Sequence, residues 1–152
     1  MSSDEEFLVT LLRALRHAEL EAIVVGNTAA VLQGAPVTTQ DVDLLVRDSK
    51  LTVAKIADLA NRLGAFRTRP SDLVDITTLI GASAPVDIIV GHIAGDMRFE
   101  SVESRARLIP VAGEQALVAD LADVIRSKEA ANREKDRAVL PMLRAALAVR
   151  SG

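Results

Sequence analysis

Three aspartates at two places in this 152-residue sequence have the residue type and spacing of a metal site. Asp41 and Asp43 lie two residues apart in a β-rich run, so their carboxylates project from the same face of an extended strand. Asp87 interrupts an apolar run over 86–90, where an unpaired charge is costly and therefore predicts a partner. Carboxylate oxygens are the ligands that Mg²⁺ prefers, and metal ions held by them orient the reacting oxygens of phosphoryl or nucleotidyl transfer. We therefore expect the three carboxylates to converge in one cleft, bind Mg²⁺ or Mn²⁺, and position or deprotonate an incoming hydroxyl through Asp87.

A glycine turn lies upstream of the aspartate pair. Residues 22–25 form a short apolar run that predicts a strand, and residues 28–33 after the turn predict a short helix. Backbone amides at the start of a helix meet phosphate oxygens, and glycine lets phosphates approach closely. Gly26 and Asn27 are therefore predicted to cradle the phosphates of a nucleoside triphosphate (NTP) beside the aspartates.

Hydrophobic periodicity predicts the elements that must position these residues. An amphipathic helix over 4–17 opens the chain, and the aspartate pair begins a strand over 41–46. Further helices are predicted over 51–63, 118–132 and 134–150, and further strands over 65–68, 73–79, 86–90 and 107–111, whereas 91–105 shows no clear pattern. We expect an α/β (α+β) fold with a mixed, twisted sheet of about four to six strands, helices on one face, and a C-terminal helical pair that closes the cleft.

Length and composition limit the classes of protein. With 49% hydrophobic and 26% charged residues, we expect one domain over 1–152, with a core from about 20 to 112 and a helical part from about 117 to 150. The absence of Cys, Trp and Tyr excludes thiol nucleophiles and cysteine-ligated metals, and it leaves little to stack on nucleic-acid bases. His17 and His92 are the only histidines and lie far apart in sequence, so a histidine metal cluster or a Ser-His-Asp triad has little support.

The charge distribution argues against a generally basic nucleic-acid binder. The net formal charge is -3, although residues 126–152 carry seven basic and three acidic side chains. Any contact with nucleic-acid phosphates is therefore expected to be local. The N-terminus is acidic, and no apolar run approaches the roughly 20 residues of a membrane span, so we expect a soluble, cytoplasmic protein without a membrane partner.

The combined pattern resembles the DNA polymerase beta-like nucleotidyltransferase superfamily. Its signature is a hydrophobic strand, Gly followed by Gly or Ser, a short helix, Asp-x-Asp, and a later single Asp on a strand. Gly26-Asn27, Asp41-Val42-Asp43 and Asp87 occupy those places. Gly34 and Thr39, together with the aspartate pair, are similar to the Gly-x-x-Arg-x-Thr-x-Asp-x-Asp run of the minimal and AbiEii-like toxin branches.

The C-terminal part also resembles the AbiEii-like branch. Lys128, Arg133, Lys135 and Asp136 match its Lys-x-x-x-x-Arg-x-Lys-Asp helical segment. The resemblance implies that Lys128 contacts the nucleotide and assists catalysis, that Thr39 belongs to the nucleotide site, and that the other three residues contact substrate or support the tail helices.

The activity that the resemblance implies is transfer of a nucleoside monophosphate from an NTP to a hydroxyl. The acceptor is RNA, a protein or a small molecule such as an aminoglycoside. A toxin-type enzyme with an antitoxin partner is compatible with this branch. The identity of the NTP and the oligomeric state stay open.

A catalytically retired domain of the same fold, which binds nucleotide or a protein partner, is the alternative. Asn27 stands where the family usually has Ser or Gly, and Val37 replaces the usual Arg. A metal-dependent glycosyltransferase also uses Asp-x-Asp after an apolar strand, but it needs no Gly-Asn turn upstream. Leu45 after the aspartate pair disfavours a haloacid dehalogenase-type phosphatase, and no Gly-x-x-x-x-Gly-Lys-Ser/Thr motif indicates a P-loop NTPase.

Overall fold

A mixed seven-stranded sheet forms the centre of the computed structural model, which describes residues 2–68 and 75–151. The strands are β1 (Ala22–Val25), β2 (Val42–Val46), β3 (Phe66–Thr68), β4 (Ile76–Ile80), β5 (Val86–Val90), β6 (His92–Ile93), β7 (Met97–Arg98), β8 (Arg107–Val111) and β9 (Glu114–Val118). The large sheet has the order β3-β4-β5-β2-β1-β9-β8, and β6 and β7 form a separate two-stranded ribbon. The helices are α1 (Ser3–His17), α2 (Gly26–Leu32), α3 (Thr52–Leu63), α4 (Phe99–Arg105), α5 (Leu121–Ala131) and α6 (Glu134–Ser151).

Strand β2 lies in the middle of the sheet, parallel to β5 and antiparallel to β1. The register pairs Asp43 with Asp87 on one side and with Val25 on the other. Leu44 and Leu45, on opposite faces of β2, are both fully buried, as expected for a central strand covered on two sides. Because side chains alternate along a strand, this register places Asp43 and Asp87 on the same face of the sheet.

The mixed α/β architecture and the C-terminal helical pair confirm the predicted fold class. Helix α1 begins one residue before the predicted start, after Ser2, whose side chain accepts a hydrogen bond of 3.2 Å from the Glu5 N–H and so caps the helix. Helix α5 ends at Ala131 and is followed by Asn132, whose left-handed backbone with φ of 50° lets the chain turn directly into α6. Within the described residues, none of the helices has the length and apolar character needed to cross a membrane.

The sheet contains more strands than predicted because residues 114–118 form β9 rather than the approach to a helix. Ala112 and Gly113 have φ of 46° and 87°, and this two-residue turn folds β9 back on β8 as a hairpin. Strand β9 then pairs in parallel with β1, so the sheet extends beyond the predicted core boundary near residue 112. Residues 91–105, which have no clear pattern in the sequence, form β6, β7 and α4. The strand predicted over 73–79 is observed from Ile76, and residues 73 and 74 lie outside the described residues.

The side chain of Gln33, just after α2, links this helix to the helical pair. Its Nε2 donates to the carbonyl oxygens of Ala29 at 2.9 Å and Ala119 at 2.8 Å. Its Oε1 accepts from the Leu121 N–H at 3.0 Å and from the Arg150 guanidinium at 3.3 Å. One amide thereby sets the position of the helix after the glycine turn relative to α5 and the end of α6.

We predict that Gln33→Ala lowers the free energy of unfolding by roughly 1–3 kcal/mol, because buried backbone groups at Ala119 and Leu121 lose their partner. Urea denaturation measures this loss. Gln115→Ala, at an exposed position of β9, serves as the control and should change stability by less than about 0.5 kcal/mol. Equal losses in the two variants would show that the Gln33 bonds contribute nothing specific.

Candidate active site

Three carboxylates meet where β2 and β5 begin and β1 ends. Asp41, Asp43 and Asp87 each offer an oxygen, and these oxygens all lie within 4.8 Å of one another. Asp43 and Asp87 are register partners on parallel strands, and Asp41 directly precedes β2. Asp41 is exposed, whereas the other two are half-buried. The structure thus brings together the three residues that the sequence pattern singled out, and we call them the acidic triad.

Gly26 forms the turn that lies against the acidic triad. Its φ of 66° lies in the left-handed region, and a Cβ at this position would collide with Oδ2 of Asp43. Glycine adopts this backbone conformation without strain, and it has no Cβ that would occupy the space beside Asp43. Because Val25 is the register partner of Asp43, the chain turns into α2 directly beside that carboxylate.

The loop before β2 is held by two hydroxyl groups. Thr28 Oγ1 donates to the carbonyl oxygen of Asp41 at 3.1 Å, and Thr39 Oγ1 donates to the same oxygen at 2.7 Å. Thr39, predicted to belong to a nucleotide site, therefore has its hydroxyl directed at the backbone of a triad residue. In this structure it orients Asp41.

Burial and two neighbouring carboxylates act together on the ionisation of Asp43. Burial, followed by the charges of Asp41 and Asp87, raises the pKa of Asp43 from 3.8 to about 7, while the charge of Lys128 acts in the opposite direction. Thr78 on β4 donates a hydrogen bond of 2.6 Å to Oδ1 of Asp87 and fixes the orientation of this carboxylate. The triad therefore carries more negative charge than its surroundings neutralise, which suits a divalent cation.

A buried charge cluster lies beside the triad at the junction of α5 and α6. Asp136 is fully buried, and Arg133 donates to it from its backbone N–H at 3.1 Å, from Nε at 2.7 Å and from Nη2 at 3.1 Å. Nζ of Lys128 lies 3.5 Å from Oδ1 of the same carboxylate. Although burial opposes ionisation, the hydrogen bonds from Arg133 hold the pKa of Asp136 below its usual range.

Two clefts open onto the acidic triad. The polar cleft, of about 420 Å³, contains all three triad carboxylates and side chains of residues 38–40, together with Asn27 and Lys135. The wide cleft, of about 550 Å³, contains Gly26 and Asp43 and has a mixed lining, with apolar side chains of β5 and α5 together with Asp75 and Asp96. Lys128 and Arg133 line both clefts. Asp43 therefore lines both clefts.

The two departures from the family pattern occupy different environments. Asn27 lines the polar cleft, and its Oδ1 is buried with no hydrogen-bond partner among the described residues. Val37 is partly buried and packs against the hydrophobic core. An apolar side chain at residue 37 thus suits its surroundings, whereas the Asn27 amide has an unmet capacity for a hydrogen bond at the site itself.

Solved structures of nucleotidyltransferases are similar to this chain. ANT(2″)-Ia, in its complex with adenylyl-2″-tobramycin, matches with a TM-score of 0.70 and 13% identity over 99% of this chain and 92% of that chain. The Thermotoga maritima protein TM1012, assigned as a nucleotidyltransferase, matches with a TM-score of 0.67 and 16% identity over 93% of each chain. An antigenic nucleotidyltransferase-like protein from Paracoccidioides brasiliensis matches with a TM-score of 0.56 and 17% identity over 98% of this chain and 78% of that chain.

This chain has the nucleotidyltransferase fold. The identities are low, so the likeness establishes the fold and leaves the substrates to be argued from the site. No protein-family model and no curated protein matches the sequence. Membership of the AbiEii-like branch therefore stays a prediction.

Sequence reasoning missed two residues that orient the site. Thr78 occupies a strand position opposite Asp87, but only the register of β4 against β5 reveals that pairing. The sequence predicts Gln33 only as the last residue of a short helix, whereas its bonds reach residues more than 80 positions away. Strand β4 contains two adjacent threonines, Thr77 and Thr78, and the sequence alone does not indicate which of them faces Asp87.

We predict that Gly26→Ala weakens Mn²⁺ binding by about tenfold or more, because the new Cβ displaces Oδ2 of Asp43. Isothermal titration with Mn²⁺ measures the affinity. Gly34→Ala is the control, because Gly34 also has a positive φ of 93°, but a Cβ added there would have no other atom within 4 Å. Both variants suffer backbone strain, and only the first should lose metal affinity. Equal Mn²⁺ affinities of Gly26→Ala and Gly34→Ala would show that Gly26 does not affect metal binding by the triad.

We predict that Asp43→Asn stabilises the metal-free protein by roughly 1–3 kcal/mol at pH 8 and has little effect at pH 4. Folded Asp43 keeps its proton up to about pH 7, whereas the unfolded carboxyl ionises near 3.8. The folded state binds more protons between these values, so the wild-type free energy of unfolding falls as pH rises through this window. Asparagine does not ionise, so the free energy of unfolding of Asp43→Asn does not fall in this way as the pH rises.

Denaturation in EDTA at several pH values tests the Asp43 prediction, with Asp48→Asn as an exposed control that should follow the wild type. Added Mn²⁺ should stabilise the wild type and the control but not Asp43→Asn. A wild type more stable than Asp43→Asn at pH 8 in EDTA would mean that the Asp43 carboxylate is a structural group.

Proposed function

We propose that the protein is a metal-dependent nucleotidyltransferase that moves a nucleoside monophosphate from an NTP to a hydroxyl group. The observation that carries the proposal is the acidic triad, whose oxygens lie within 4.8 Å of one another beside a glycine turn. The fold shared with nucleotidyltransferases supports the same reaction class. Asp41, Asp43, Asp87 and Lys128 would be the groups that act in the transfer.

The donor set of the triad fits Mg²⁺ or Mn²⁺. All three groups are carboxylates, which are hard oxygen ligands. Burial first, and then the charges of Asp41 and Asp87, raise the pKa of Asp43, so a cation at this position would favour its ionised form. When bound, such a cation would neutralise this charge and polarise the phosphoryl oxygens of the nucleotide. Gly26 leaves the space beside Oδ2 of Asp43 free of side-chain atoms.

In the proposed transfer, Asp87 receives the proton of the acceptor hydroxyl. The hydroxyl oxygen forms a bond to the α-phosphorus of the NTP, and the bond from that phosphorus to the oxygen bridging to the β-phosphate breaks. Pyrophosphate leaves with the electron pair. Thr78 holds the Asp87 carboxylate in one orientation through its 2.6 Å hydrogen bond, which favours a fixed proton acceptor.

The nucleotide fits the wide cleft best. Its apolar side chains, such as Ile89 and Val124, suit a base, and its polar ones suit a sugar. Gly26 and Lys128 line the same cleft as Asp43, where the phosphates would lie. Asn27 follows the glycine and would donate a hydrogen bond to a phosphate oxygen from its amide nitrogen. Lys128 would stabilise the charge that develops on the departing pyrophosphate.

The acceptor fits the polar cleft, and a small polar molecule fits it better than RNA. The cleft is lined by hydroxyl, amide and charged side chains, including Thr38, Gln40 and Lys135. The basic C-terminal segment offers RNA little free charge, because several of its arginines pair with acidic groups of the protein itself. These pairs are Arg133 with Asp136, Arg144 with Glu129, and Arg150 with Asp120. A protein hydroxyl and an RNA end are the other acceptors that the experiment below includes.

A retired nucleotidyltransferase domain is the second candidate. The observation that favours it is the unpaired Oδ1 of Asn27, which occupies the place of a smaller residue in the family pattern. Such a domain would bind nucleotide or a protein partner without turnover. A toxin role with an antitoxin partner rests on the motif resemblance alone, in residues 34–43 and 128–136.

Incubation with NTPs labelled at the α-phosphate, Mg²⁺ or Mn²⁺, and separate pools of small metabolites, tRNA and proteins tests the proposal. We expect transfer of the α-label to a hydroxylated small molecule, and no transfer from NTPs labelled at the γ-phosphate. Asp87→Asn should lower turnover by about 100-fold or more, because the proton acceptor is lost. Asp48→Asn, which removes an exposed carboxylate outside the triad, should keep wild-type turnover.

The labelling results distinguish the active transferase from the retired domain and from a kinase. Metal-dependent nucleotide binding without transfer to any pool would support the retired domain. Transfer of the γ-label would contradict nucleotidyl transfer, because it would indicate a kinase-type reaction. Full activity of Asp87→Asn would remove this residue from the proposed proton transfer.

A further inference from the structure

The two clefts share Lys128, Arg133 and Asp43 in their linings, and we call this shared region the junction of the clefts. The carboxylate of Asp136 contacts both Lys128 and Arg133. We propose that Asp136 is a positioning residue, which holds the Lys128 ammonium and the Arg133 guanidinium at that junction. The consequence for nucleotide binding rests on the proposed function. The contacts themselves do not, and they can be tested separately.

Burial makes this carboxylate unusual. Asp136 is fully buried, and a buried carboxylate needs strong hydrogen bonds and an opposite charge. Arg133 supplies contacts to both of its oxygens, and Lys128 supplies a second positive charge at 3.5 Å. One buried anion is therefore shared by two cations that come from the end of α5 and the start of α6.

Helix capping accounts for only part of this arrangement. Helix α6 begins at Glu134, and the hydrogen bond from the Arg133 N–H to Oδ2 of Asp136 is the return bond of a capping box. Capping needs neither the guanidinium contacts nor the approach of Lys128. These additional contacts are the ones that direct positive charge toward the clefts.

The placement of Lys128 is the second unusual feature. Its side chain is only 11% exposed, whereas lysine side chains are seldom buried without a partner. Both clefts contain Lys128 and Arg133, and both contain Asp43. Asp136 thus provides a counter-charge behind the cations and keeps their charged ends at the site, where the phosphates of a nucleotide would meet them.

Acylation of lysines by acetic anhydride, followed by mass spectrometry, tests the positioning role without any substrate. The chain has four lysines, and exposed Lys50 serves as the internal reference. We expect Asp136→Asn to raise the acylation rate of Lys128 severalfold relative to Lys50, because the amine loses the anion that holds it. Asparagine retains an oxygen that accepts the capping bond, so a role in capping alone would leave the ratio unchanged and overturn the proposal.

Asp123→Asn is the matched control. Asp123 on α5 is a carboxylate that is only 5% exposed, it pairs with Arg105 of α4 at 2.8 Å, and it lines neither cleft. We expect this variant to lose stability in a similar way and to leave the Lys128 ratio unchanged. A change of the ratio in Asp123→Asn equal to that in Asp136→Asn would attribute the effect to general loosening and overturn the proposal.

Arg133→Gln keeps the test decisive if Asp136→Asn does not fold. With the guanidinium removed, Lys128 is the remaining cation for Asp136, so we expect Lys128 to be acylated more slowly than in the wild type. An acylation rate equal to or above that of the wild type would contradict a shared counter-charge.

A separate measurement on the wild type tests the proposed function. Addition of Mg²⁺ with each NTP should slow acylation of Lys128 if phosphates bind at the junction. Protection by NTP with no effect of Asp136→Asn would overturn the positioning role and support the nucleotide site. An effect of Asp136→Asn without protection by any NTP would support the positioning role and contradict the nucleotide site.

Discussion

The pairing of Asp43 with Asp87 across two parallel strands is the constraint on which the site depends. Two carboxylates in register repel each other, and this repulsion contributes to the pKa of about 7 at Asp43. The apolar neighbours on the same strands prevent β2 and β5 from changing their register, since Leu44 and Ile88 are register partners and are fully buried. Slipping the register by one residue would move these side chains out of the core. The hydrophobic core therefore holds the carboxylates together in the absence of a cation.

Other parts of the fold are arranged around that pairing. Gly26 lets the chain turn beside Asp43 without a side chain in the way, and Thr78 orients Asp87 from the neighbouring strand. The helical pair contributes Lys128, which lines both clefts together with Asp43 and contacts the buried Asp136. The site thus combines a negative cluster that attracts a divalent cation with a positive cluster suited to phosphates. This division of charge is what a metal–NTP substrate requires.

Much of this site could be predicted from local sequence. The spacing of Asp41 and Asp43 and the position of Asp87 within an apolar run indicate a shared site, and the helical pair follows from periodicity. Strand β9 could not be predicted in the same way, because Glu114–Val118 is short and its strand identity comes from pairing with β8 and β1. The approach of Lys128 to Asp136 also depends on how α5 and α6 pack, whereas the pairing of Arg133 with Asp136 has the spacing of three residues found on one helix face.

Anomalous diffraction from a crystal containing Mn²⁺ and a non-hydrolysable NTP tests most directly the claim that the acidic triad holds a divalent cation. We predict a manganese peak within coordination distance of carboxylate oxygens from Asp41, Asp43 and Asp87, with the nucleotide phosphates beside it. A nucleotide bound elsewhere, or a triad without a manganese peak at a saturating concentration of the ion, would contradict the claim.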